Sequence, residues 1–188
     1  FAALWVYIAS APAFVLDILK PSEREFGWFF VPMISGMILG AFTSGRSAGK
    51  VSGAKLVSIG FACSAVAMAI NLGYNLLTDV PKVPWAVLPM MLNAFGIALV
   101  FPIVTLAILD MYPRQRGSAS SLQAFTGLVL NAVIAGVLSP LISDHALWLI
   151  ATAIAFLTIA FGFWRWEARV SRMRTGAEAT PTVPSETL

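Results

Sequence analysis

Asp110-Met-Tyr-Pro-Arg-Gln-Arg-Gly117 is followed by Ser118-Ala-Ser-Ser-Leu-Gln-Ala-Phe-Thr-Gly127 and then by an apolar run that closes at Pro140-Leu141. A basic turn leads into more than roughly twenty residues without a charge, enough to cross the hydrocarbon core of a bilayer as a helix. Unlike a plain anchor, this run keeps Ser118, Ser120, Ser121, Gln123, Thr126 and Asn131. At about 100° per residue, Ser120, Gln123, Ala124, Gly127 and Asn131 share one side of the helix. Lipid penalises such a stripe, so it is expected to face other helices or water. Two readings follow: close packing through small residues, or the lining of a polar cavity through which a solute moves.

The rest of the composition points the same way. Charged residues are 11% of the chain, hydrophobic residues 59%, and the mean hydropathy is +0.84. A soluble domain is about a quarter charged, so the expectation is an integral membrane protein. The net charge of +3 does not indicate a nucleic-acid partner, because the charges sit between the apolar runs. Cys63 is the single cysteine and lies inside such a run, which excludes an internal disulfide. An apolar run already in progress at Phe1, with no basic region before it, reads as a fragment or truncated chain that starts inside its first span.

Six apolar runs are predicted as spans: 1–16, 28–44, 56–77, 85–109, 118–141 and 146–164. The fold class is therefore all-α, a six-helix transmembrane bundle over residues 1–165. Residues 166–188 form a cytoplasmic tail, basic at first and then, from about Thr175, too polar to fold. Nine of the 12 Lys and Arg residues fall in the second connection, the fourth connection and the tail. The positive-inside rule places that set, and both ends of the segment, in the cytoplasm. Trp28, Trp85, Trp148, Trp164 and Trp166 lie near predicted span ends, where amphipathic rings prefer the interface.

Candidate site residues follow from polarity inside apolar runs. Tyr7, Ser10 and Phe14 share a face of the first span. Asn93 and Phe101 in the fourth span join Ser120, Gln123 and Asn131 of the fifth in an aromatic-and-amide set suited to a weakly charged ligand. Interhelical hydrogen bonding is the alternative use of the same amides. Asp110, Arg114, Arg116 and Gly117 read as a gate or hinge, with simple topological anchoring as the alternative. Gly36 and Gly40 form a GxxxG spacing for close helix packing. Asn71, Tyr74 and Asn75, near the end of the third span, read as interface anchors. His145 follows Asp144 in a short loop and reads as a solvated cap. No span carries a charge deep within it, and the sequence holds no metal-ligand cluster, phosphate-binding glycine loop or paired carboxylate. No catalytic residue, metal or cofactor is expected, and the chain does not read as an enzyme.

Three stretches resemble a known family. Trp5-Val-Tyr-Ile-Ala-Ser-Ala-Pro-Ala-Phe-Val-Leu16 looks like the seventh helix of the Bcr/CflA drug-efflux branch of the major facilitator superfamily. Arg116-Gly-Ser-Ala-Ser-Ser-Leu-Gln-Ala-Phe125 resembles the start of that branch's eleventh helix. Gly45-Arg46 through Gly53-Ala-Lys55 is similar to the superfamily's basic loop between helices two and three, without its usual Asp. The resemblance implies the C-terminal half of a transporter, helices seven to twelve. It implies a proton-coupled exporter of drug-like or small amphipathic molecules, working by alternating access in a bacterial inner membrane. Its partners would be the lipid bilayer, the small-molecule substrate, and an N-terminal six-helix half or a second copy. Spans one, two, four and five would line the cavity. A truncated or non-transporting protein, acting only as a packing module, is the alternative.

Overall fold

The computed structural model describes residues 1–10, 27–78, 85, 87–142 and 146–178. The regular elements among them are all helical. They are α1 (Ala2–Ala9), α2 (Gly27–Ser47), α3 (Gly53–Leu77), α4 (Leu88–Met111), α5 (Arg116–Val133), a π-helical turn (Ile134–Leu138), α6 (Ser139–Ile142) and α7 (Ala146–Glu178). Through the π turn, α5 and α6 make up one 27-residue span, Arg116–Ile142. Four helices among the described residues are long and apolar enough to cross a membrane: Gly53–Leu77, Leu88–Met111, Arg116–Ile142 and Leu147–Ser171. Of the first expected span, residues 11–16 lie outside the described residues, as does His145. The chain divides into two compact units, Phe1–Leu157 and Thr158–Leu188.

The connections carry local reasons for their breaks. After α2 the chain turns at Gly49, whose φ of 75° suits glycine far better than a residue with a Cβ. There the Lys50 and Val51 amides both donate to the Ser47 carbonyl at 3.1 Å. Ser52, extended, then starts α3. Pro89 sits in the first turn of α4, where a missing N–H loses no helical bond. Between α4 and α5 the Gln115 amide donates to the Tyr112 carbonyl at 3.0 Å, around Pro113-Arg114. Pro32 and Pro102 lie inside α2 and α4, at sites where proline removes a backbone donor.

Within the larger unit α4 is the hub, packed along α2 on one side and α3 on the other. Small residues set both distances. A Cβ added at Gly36 would run into the Met91 carbonyl, and one at Gly40 into the Phe95 carbonyl. On the other side, a Cβ at Gly60 would meet Val100 and the Gly96 carbonyl. One at Gly96 would meet the Gly60 carbonyl and, at 2.8 Å, Ser64 Oγ. These are backbone-to-backbone approaches, which lipid-embedded helices gain from close van der Waals contact. Around α1 a core forms from Val6, Tyr7, Met68, Met90, Ile134, Leu149 and Ile150.

In the smaller unit the Phe163 and Trp166 rings stack with centroids 6.4 Å apart, and the Arg165 guanidinium lies 6.0 Å from the Phe161 ring centroid. Helix α7 runs on to Glu178, through residues read from sequence as the start of the tail. Arg, Glu, Ala and Met are all good helix formers, and glycine first reappears at Gly176.

Candidate functional site

The polar side chains picked from the sequence separate into three places. The first is the contact of α1 with α3 and α6. Tyr7 is buried, and its hydroxyl accepts a hydrogen bond from Asn71 Nδ2 at 2.7 Å. Asn75 Nδ2 in turn donates to the Asn71 carbonyl and to Asn71 Oδ1, both at 2.9 Å. Ser10, also buried, shares a 2.9 Å hydrogen bond with Ser139 Oγ. By sequence Asn71 reads as an interface anchor. In the structure it is 2% exposed and links two helices. Its partner Tyr7 is 64 residues away, a pairing that no local spacing reveals. Phe14 lies outside the described residues.

The second place is α4. Asn93 is 1% exposed, and its Nδ2 has no hydrogen-bond partner among the described residues. It continues the line of Gly96, Val100 and Ile103, the residues that meet α3 at Gly60 and Gly53. By helical spacing Asn93 is thus buried on the face of α4 that carries those contacts. Phe101, by contrast, is 48% exposed, with its ring centroid 5.3 Å from that of Phe1.

The third place is α5, none of whose residues is fully buried. Gln123 is half-buried and its Nε2 donates to Thr105 Oγ1 of α4 at 2.9 Å. Gly127 and Asn131 are also half-buried, while Ser120 and Ala124 are exposed. Leu122, Phe125, Leu128 and Val133 point outward on the remaining faces. The polar stripe is therefore partly satisfied by α4 and partly open. At its N-terminal end the turn is closed by an ion pair, Arg116 Nη2 donating to Asp110 Oδ1 at 3.1 Å, with the two side chains 60% and 71% exposed. Arg114 and Gly117 are exposed on the same turn. No group of metal-ligating side chains occurs among the described residues.

Residues 1–187 match the family model described as Major Facilitator Superfamily. The chain is similar to "Multidrug resistance protein 3" of Bacillus subtilis (strain 168), being 30% identical over 140 residues. That alignment covers 72% of this chain and 26% of the relative, so the chain spans about a quarter of the relative's length. No solved structure matches the chain.

Proposed function

This chain belongs to the Major Facilitator Superfamily, and we propose that it is part of a secondary active transporter, exporting drug-like or small amphipathic molecules in exchange for protons. It would supply the six helices of the C-terminal half, in the manner of the Bcr/CflA branch. The two halves would rock about a site near the membrane midplane. The segment would lie in a bacterial inner membrane with both termini cytoplasmic. The similarity to a protein named for multidrug resistance supports the substrate class. The observation that carries the reading is α5, the first 18 residues of the membrane-length span Arg116–Ile142, with Ser120, Gln123 and Asn131 along it and no fully buried residue. A polar stripe left partly open in an apolar helix needs a polar solute, water or a second half to cover it.

A second reading has its own support. The Tyr7–Asn71, Ser10–Ser139 and Gln123–Thr105 bonds and the glycine contacts of α4 are what a packing module requires. Reconstitution separates the two. Vesicles holding only these 188 residues should show no proton-dependent efflux of an amphipathic dye. Vesicles holding this segment together with the six helices expected to precede it should show efflux, weakened by Gln123→Ala or Asn131→Ala. No flux from the combined protein would favour the packing module. Robust flux from the segment alone would point to a homodimer.

A further inference from the structure

We propose that the C-terminal part of α7 binds the headgroup of an anionic phospholipid, with Arg165 and Arg169 gripping the phosphate and Trp166 fixing the depth. This rests on the membrane reading of the chain but not on transport. Arg165 and Arg169 are one helical turn apart, on one face, and both are exposed. Residues 165–174 contain four arginines against the single acid Glu167. Two positions on from Arg165, Glu167 falls about 200° around the helix and cannot neutralise that face. Neither arginine is in an ion pair among the described residues; the pair found there is Arg116 with Asp110.

Beside the basic face, about 100° around, stands Trp166, 65% exposed and stacked on Phe163. Exposed tryptophan in a helix that spans a bilayer prefers the headgroup level. The segment Leu147–Ser171 has the length and apolarity of a span, and both arginines lie near its end. Along the axis they are separated by about 6 Å, close to the roughly 5–8 Å of headgroup region on each side of the hydrocarbon. Two planar guanidiniums at that depth match the oxygens of a phosphodiester, which each can hold through two N–H donors. A soluble phosphate would engage the arginines alone. A phospholipid, with its headgroup on the arginines and its acyl chain beside the rings, covers both.

The test uses the purified 188-residue chain in a neutral detergent, titrated with phosphatidylglycerol or phosphatidylcholine, with bound lipid counted by native mass spectrometry. The wild type should retain phosphatidylglycerol in preference to phosphatidylcholine. That preference should fall about fivefold for each arginine removed, so Arg165→Gln/Arg169→Gln should lose nearly all of it. Lys50→Gln, which removes a charge from another connection, should keep it. If the double variant does not fold, Arg165→Gln alone carries the test, with a loss of about fivefold expected. Unchanged preference in the arginine variants would overturn the proposal, as would an equal loss in Lys50→Gln. Displacement of the lipid by an equal concentration of inorganic phosphate would also overturn it, in favour of a soluble anion.

Discussion

Tyr7 and Asn71 show how a side chain that looks like a ligand contact can act first as a joint. The Tyr7 hydroxyl and the Asn71 amide meet at 2.7 Å where both are buried. Removing the Tyr7 hydroxyl leaves the buried Asn71 Nδ2 without that acceptor, which costs more than the bond itself is worth. A double-mutant cycle of Tyr7→Phe and Asn71→Leu, followed by unfolding in a denaturing detergent, should give a coupling of about 0.6–1.7 kcal/mol. Additive effects would mean that the two residues act independently. The exposed pair Asp110–Arg116 should behave in the opposite way. Exposed pairs contribute about 0–1 kcal/mol, so Asp110→Asn or Arg116→Gln should hardly change unfolding. In a full-length transporter the same substitutions should alter turnover while substrate affinity stays nearly constant. A bias of about 1.4 kcal/mol is tenfold in an inward–outward ratio. Unchanged turnover would leave these residues as topological anchors.

At the scale of elements, α4 owes its place to glycines at the contacts it makes. Gly96→Ala would drive a methyl group toward the Gly60 carbonyl and Ser64 Oγ, and backbone does not move aside cheaply. A loss of about 1–3 kcal/mol is expected. At Gly73 of α3 a methyl group would meet nothing within 4 Å, so Gly73→Ala should be neutral or stabilise by up to about 1 kcal/mol. Thermal unfolding of both variants checks the contrast, and equal losses would contradict it. The sequence made the helices themselves legible, because hydrophobic runs and proline or glycine breaks are local signals. The expected spans 56–77, 85–109 and 118–141 fall within a few residues of α3, α4 and the Arg116–Ile142 span. The GxxxG spacing at Gly36 and Gly40 is visible as well. The Gly60–Gly96 contact is not, since one glycine on each of two helices forms no motif until the helices meet. Asn93 reads from sequence as a cavity residue or an interhelical hydrogen-bonder; in the structure it is buried, and its Nδ2 has no hydrogen-bond partner among the described residues.

For the whole molecule, charge placement predicts orientation. With Cys63 replaced by Ala, single cysteines at Ser47 and at Ser22, which lies outside the described residues, should label from opposite faces of the membrane. Labelling from one face would remove both the orientation and its charge argument. The π turn at Ile134–Leu138 has a consequence at this scale too. In an unbroken α-helix, Ser139, eight positions after Asn131, would lie about 80° around the axis from it. One extra residue taken up by the π turn holds the rotation back by about 100°, bringing Ser139 nearly into line with Asn131. The rod therefore has two reading frames, joined at a splice. Upstream, the frame presents Gln123 to α4; downstream, it presents Ser139 to Ser10 of α1. Deleting Val137 removes that extra residue and puts Ser139 seven positions after Asn131 in a regular helix, still within about 20° of it, so the Ser10 bond should survive. Winding the undeleted chain as unbroken α-helix would instead swing Ser139 away from Ser10, as the teeth of a key cut one notch out of step miss their pins.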